Sequence, residues 1–264
     1  NRIPVYNTSH LFGFFSAFNS DIIKDFSIYK GHIPAQYGGR LASVFNITTR
    51  QGNRKRFTIH GGISPITANA VFEGPVKKDT ASFIFSIRSS YSDWILSRLK
   101  DTIINKSNAD FKDFAGGLNW DFKKTQIAIF GYRSSDNFSL SDLSNYSYSN
   151  TGASLIIDHN FSNSLRGEIS LAGSDYAFST IDKLEKSSSF THSYELKHYE
   201  ISTSFRQMLN RNYLEYGGSF ILYKLDRGTV VPYGEASLLD NVYLGKEDGI
   251  ENSLFLSDSY TIKP

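Results

Sequence analysis

His192, Glu195 and His198 come closest in this chain to a metal-ligand spacing. Zinc takes imidazoles and carboxylates, but only where they converge tetrahedrally. Their segment reads as a strand, on which successive side chains point to opposite faces, so His192 and His198 share one face and Glu195 lies on the other. The three are therefore not read as a metal site. The sequence has no Gly-X-Ser-X-Gly elbow, phosphate-binding loop or dinucleotide fingerprint. It has no cysteine, which removes thiolate metal ligands and disulfides. The expectation is a protein that is not an enzyme and carries no cofactor.

The elements available to position any other chemistry are strands. Over 264 residues no apolar run approaches the roughly 18 to 20 that a membrane helix needs. A barrel is not excluded by this, because a barrel strand is apolar only on its lipid face. The modest mean hydropathy of -0.31 fits such a strand. So do 16 Tyr and 21 Phe against a single Met, since aromatic girdles mark barrel interfaces. A soluble all-β protein can be as rich in aromatics, and composition leaves both open. The formal charge of +2 is near neutral and the Lys and Arg residues are scattered, so nucleic-acid binding has no electrostatic footprint.

From Arg56 onward the period is two. Phe83, Phe85 and Ile87 alternate with Ile84, Ser86 and Arg88; Leu118, Trp120 and Phe122 with Gly117, Asn119 and Asp121. Tyr199, Ile201, Thr203 and Phe205 likewise oppose His198, Glu200, Ser202, Ser204 and Arg206. Each is the pattern of a strand with one apolar and one polar face. Strands are expected near 57–63, 67–76, 80–91, 111–122, 125–135, 150–161, 164–176, 190–209, 212–227 and 251–262. Tight turns at Lys77-Lys78-Asp79, Lys123-Lys124, Ser162-Asn163 and Asn210-Arg211-Asn212 alternate with long loops around 93–110, 136–149, 177–189 and 228–250. An outer-membrane barrel sorts its periplasmic and extracellular ends in this way, and a sandwich has no reason to.

Residues 1–53 read as a small α+β unit. Asn19-Ser20-Asp21 caps a short helix, residues 26–30 and 44–49 are strands, and Pro34 to Gly39 supplies one helical turn closed by two glycines. The series Ile3-Pro4-Val5-Tyr6-Asn7, His10 to Asn19, Lys30-Gly31, Tyr37-Gly38-Gly39-Arg40 and Val44 to Thr49 resembles the plug of TonB-dependent outer-membrane receptors, particularly of the Bacteroidetes type. Phe72-Glu73-Gly74-Pro75-Val76 and Leu254-Phe255-Leu256-Ser257-Asp258 are similar to the barrel portion of the same family.

The resemblance implies a mainly β protein: a partial antiparallel transmembrane β-barrel of about ten strands, out of about 22 for plugged transporters, behind the C-terminal half of a plug. Residues 1–53 would be plug and 54–264 the N-terminal part of the barrel. It implies energised uptake of a small nutrient ligand, a TonB energy-transducing partner reached through a box before Asn1, outer-membrane lipid around the wall and a surface lipoprotein as a further candidate partner. Both ends of the sequence are expected to be cut, with a signal peptide and the first plug half upstream and more strands downstream. By position in the plug, Tyr6, Asn7, His10, Phe12, Phe14 and Phe15 would meet the ligand, since rings and amides together suit a small organic molecule. The phenylalanines could equally pack plug against wall. Arg40 would hold the plug to a wall carboxylate, with Glu73, Glu168, Glu200 and Glu215 as candidates, or equally be solvated or paired within the plug. Asp93 to Lys100 reads as a short loop helix that either lids the ligand chamber or anchors Trp94 at the membrane interface. A complete small barrel enzyme or adhesin, or a soluble β-sandwich binding module, are the other readings.

Overall fold

The computed structural model describes residues 1–39, 42–141 and 143–262, with Phe12 described through its backbone alone. In the N-terminal segment β1 (Ser9–His10) pairs with β2 (Phe15–Ser16), and β3 (Ile23–Lys30) pairs with β4 (Ser43–Thr49), both antiparallel. The expected capped helix is a single 3-10 turn, Ser20–Ile22. Asn19 Oδ1 does cap it, accepting from the Asp21 amide at 3.1 Å, but the chain then goes straight into β3. Residues 3–6 form no strand, and the Tyr6 amide turns instead to a wall side chain described below.

The rest is one antiparallel sheet of eleven strands, open at both edges. Its strands are β5 (Thr58–Ile63), β6 (Thr67–Lys77), β7 (Ala81–Ser90), β8 (Asn108–Phe122), β9 (Thr125–Leu140), β10 (Ser144–Asn160), β11 (Leu165–Asp182), β12 (Phe190–Leu209), β13 (Asn212–Pro232), the short β14 (Val242–Tyr243) and β15 (Lys246–Tyr260). From β5 to β13 each pairs with its successor, and β14 and β15 both pair with β13. Asp79, Lys123 and Asn210 take positive φ at three of the expected tight turns, as tight hairpins require.

The faces are inverted relative to a water-soluble sheet. Phe85, Ile87, Phe114, Leu118, Ile129, Ile157, Ile169, Leu171, Tyr199, Ile201 and Phe220 point outward and are exposed. Ser82, Ser86, Asp113, Asn119, Ser134, Asp136, Asn150, Ser154, Asp158, Ser170, Ser174, His198 and Ser204 point inward and are buried. The sheet wraps its polar face around the N-terminal segment.

The upper strands are longer than periodicity indicates. β9 runs to Leu140 and β10 begins at Ser144, so most of the expected loop 136–149 is a hairpin, and β11 likewise extends to Asp182. Residues such as Ser144 to Asn150 are polar on both faces and show no apolar alternation, yet the ladder still satisfies their backbone amides and carbonyls.

Candidate functional site

The site is the junction between residues 6–19 and the inner wall. Between β1 and β2 the chain turns sharply at its apex, with Leu11 at φ 48° and Gly13 at φ 103°. A left-handed Leu is strained, and wall contacts hold it there. Asp136 of β9 accepts from the Leu11 amide through Oδ1 at 3.1 Å and from His10 Nδ1 through Oδ2 at 2.6 Å. His10 Nε2 lies 2.9 Å from Asp113 Oδ1 of β8, an ion-pair contact off the axis of a good hydrogen bond. The ring is fully buried and stacks on Phe111 with centroids 4.1 Å apart and planes 3° from parallel.

Arg88 of β7 completes the group. Its Nη2 is 2.6 Å from Asp113 Oδ2, and it donates to the Ser16 carbonyl at 2.6 Å. Its guanidinium also sits over the Phe111 ring. Burial disfavours the His10 cation, but hydrogen bonds and charge from Asp113 and Asp136 outweigh this and raise its pKa above the ordinary histidine value. Beneath the apex, Leu11, Ala109 and Phe111 form a buried cluster against which Phe15, Leu96 and Phe138 pack.

Other wall strands grip the same stretch. Asn150 of β10 accepts from the amides of Tyr6 and Asn7 at 3.2 and 3.3 Å and donates to the Asn7 carbonyl at 3.2 Å. Tyr132 of β9 donates to the Ala17 carbonyl at 2.9 Å, and Asn19 donates to Ser86 of β7 at 2.7 Å. Lower down, Arg2 meets Glu168 of β11 at 2.7 Å, Arg50 meets Glu73 of β6 at 3.1 Å and Arg54 pairs with Asp121 of β8. Arg40 lies outside the described residues. Of its candidate partners, Glu168 and Glu73 are engaged by Arg2 and Arg50, Glu200 by His198 and Glu215 by Arg206.

His10, Phe14 and Phe15 flank the apex, and Tyr6 and Asn7 are held at Asn150 of β10, each in different surroundings. Tyr6 is part-exposed, with its hydroxyl 3.0 Å from His198 Nδ1. Phe14 is 83% exposed and points away from the packed cluster. Asn7 and Phe15 are half-buried, and His10 is enclosed by the wall. Rings continue upward from Tyr6 along the inner face: Tyr176 at 6.3 Å, Tyr194 a further 6.0 Å on, then Phe178 at 5.0 Å and His192 at 5.9 Å from Tyr194. Of these rings Phe178 and Tyr194 border a cleft of about 690 Å³ whose lining also includes Asp136, Tyr148, Thr229 and Tyr243. His192, Glu195 and His198 go to separate partners, the Arg227 carbonyl, Lys197 and Glu200.

The short helix α1 (Asp93–Leu96) forms where expected. Leu96 reaches the apex cluster, and the Trp94 indole donates to the Pro65 carbonyl at 3.0 Å. The segment after β13 folds onto its neighbour, with the amides of Tyr233 and Leu238 donating to the carbonyls of Ser189 and Ser187.

The same arrangement of strands superposes on part of several solved structures. The ferric-catecholate import receptor Fiu of E. coli K12 superposes with a TM-score of 0.65 at 9% identity, over 90% of this chain and 47% of that one. FpvA of P. aeruginosa, solved with a heterologous pyoverdine and iron, gives 0.64 at 12% identity, over 89% and 39%. BauA, the ferric preacinetobactin receptor of Acinetobacter baumannii, gives 0.62 at 10% identity, over 83% and 41%. The fold is that of the siderophore receptors. At this identity the likeness is one of fold alone, and the chain spans less than half the length of the receptors it matches. The sequence matches no protein-family model and no curated protein.

The contacts that sequence reasoning missed are Arg88, Asp113, Asp136 and Asn150. Asp113 shares the inward parity of Asn119, and Arg88 that of Ser86. Charges at inward positions of a wall require counter-charges from whatever fills it, and that signal was present.

Proposed function

We propose that the chain is part of a TonB-dependent outer-membrane receptor that imports a small nutrient ligand, with residues 1–53 belonging to its plug and 54–264 to its wall. The observation that carries this reading is the inverted sheet, apolar and exposed outside, polar and buried inside, curved around an inserted segment. Such a surface is unfavourable in water and suits a wall between lipid and a polar lumen. On β11 the outward residues from Leu165 to Leu171 are apolar and Asp175 follows, a span close to the roughly 9 to 11 residues that cross a bilayer.

In this reading the ligand enters the cleft above the apex and meets Tyr6, Phe14, Tyr176 and Tyr194. Rings supply contact area and the neighbouring amides and hydroxyls fix orientation. Transport involves no covalent chemistry. The energy-transducing partner moves the plug, which must first let go of the wall contacts described above. Further strands would pair with the open edges β5 and β15, where Ile63 and Leu254 are 87% and 93% exposed.

The test is uptake by cells carrying the complete reading frame, deleted or restored, with and without a working TonB system. The ligands of the matched receptors make ferric chelates the first class to assay. Restored, TonB-dependent accumulation of a labelled ligand is the expected result. Recovery of the full-length protein in the soluble fraction would sink the reading.

A further inference from the structure

We propose that Arg88, Asp113, His10 and Asp136 form a proton-dependent latch, in which His10 holds the N-terminal segment shut and loss of one proton lets its apex go. The inference rests on the transport reading above for its purpose, but its geometry is independent of it.

Both ring nitrogens of His10 face carboxylate oxygens, at 2.6 Å on Asp136 and 2.9 Å on Asp113. A carboxylate oxygen and an unprotonated ring nitrogen both present lone pairs, so the hydrogen bond to Asp136 needs a proton on Nδ1, and the off-axis approach of Nε2 to Asp113 is attractive, as an ion pair, only while that nitrogen is protonated too. A neutral imidazole with two carboxylates has one proton too few. Charge counting agrees: two carboxylates against one guanidinium and one imidazolium make a neutral group, and removing a proton leaves a net negative charge among side chains that are nearly all buried. Uncompensated charge in such a place is strongly unfavourable.

The groups facing His10 are Arg88 from β7, Asp113 from β8 and Asp136 from β9, with the phenols of Tyr132 (β9) and Tyr148 (β10) on the same inner wall. Ordinary phenols ionise near pH 10, well above ordinary histidine at about 6.5. The raised His10 pKa agrees with the proton count. The imidazolium is therefore fully present below the ordinary histidine value, and the latch is lost as pH rises through the higher folded-state value.

Release has somewhere to go. Asp136 holds the His10 ring and the Leu11 amide together, and Leu11 is the residue kept at φ 48°. Freeing His10 weakens the hold on a strained turn whose next side chain but two, Phe14, already stands in the open. Ligand contact at Phe14 and proton loss at His10 would thus act on the same few residues.

The experiment uses the purified full-length receptor with a nitroxide at Phe14→Cys, its spectrum followed from about pH 5 to about pH 9, a window centred on histidine titration. The wild-type background should show an immobilised apex at the acid end and a several-fold larger mobile fraction at the alkaline end. With His10→Gln the label should be mobile at every pH. Arg2→Gln, which breaks a different clasp, should keep the pH response. A label that ignores pH in the folded wild-type background, or a response that survives in His10→Gln, overturns the latch. If His10→Gln does not assemble, the wild-type titration alone decides. Uptake is scored separately on the unlabelled receptor. Titration of the label without import leaves the latch standing and removes its proposed purpose, and import without titration does the reverse.

Discussion

Replacing Ile169 with arginine tests which solvent the outer face meets. Ile169 stands on the outward side of β11, 47% exposed, between Leu165 and Leu171 and opposite Ile157 of β10. Counted between the turn at Ser162 and the first outward charge at Asp175, it lies near the middle of the apolar band. If that band is in lipid, a guanidinium there costs about 2 to 4 kcal/mol, whereas one near or beyond the interface costs about 0 to 1. In a folding equilibrium the larger figure is roughly thirtyfold to several hundredfold. Ser149→Arg is the matched control, outward on β10 but eight residues beyond Ile157, about 26 Å further along the strand. Urea titration of the full-length receptor folded into lipid vesicles, read by tryptophan emission, gives both costs. Equal costs for the two variants would refute the assignment of this face to lipid, because a water-facing isoleucine has no such depth dependence.

Asn150→Ala strips wall partners from the Tyr6 and Asn7 amides and the Asn7 carbonyl, and should cost about 1 to 3 kcal/mol, with faster hydrogen exchange confined to those two amides. Gly228→Ala should lower the unfolding midpoint by the equivalent of about 1 to 3 kcal/mol: Gly228 sits at φ 81° beside the irregularity at Ser193/Glu195, and a Cβ would come within 1.5 Å of the Ser193 carbonyl oxygen. The stability of the receptor should decline as pH rises above about 6.5 in wild type and lose that component in His10→Gln, because the raised His10 pKa favours the folded state only while the ring is protonated.

The wall was legible in the sequence because burial on one face writes itself as a period of two. Phe83, Phe85 and Ile87 announce β7, and the positive-φ residues Asp79, Lys123 and Asn210 fall in turns that composition marks. Legibility ends where the apolar alternation does: from Ser144 to Asn150 the backbone pairs in register with no apolar pattern to reveal it. The apex was found by likeness to a known segment; the inward parity of Asp113 and Arg88 was legible, but not which plug residue they meet. Nothing near His10 in the chain indicates that its ring will meet Asp113 and Asp136, since that depends on the curvature of three strands. Tyr6, Asn7, His10, Phe12, Phe14 and Phe15 as ligand residues and Arg40 as a clasp residue are proposals, to be scored in the uptake assay.

The neighbour-to-neighbour order of the sheet also governs the sequence of events in assembly. Every wall pairing from β5 to β13 joins elements adjacent in the chain, the kind of contact that closes short loops and forms early. The contacts of the N-terminal segment are the opposite: Tyr6 reaches His198 across 192 residues, and Arg2 reaches Glu168 across 166. Synthesis therefore delivers first the part whose partners arrive last. Docking must wait for β12, and because no wall ladder runs through the segment, undocking breaks side-chain clasps without breaking any strand pairing of the wall.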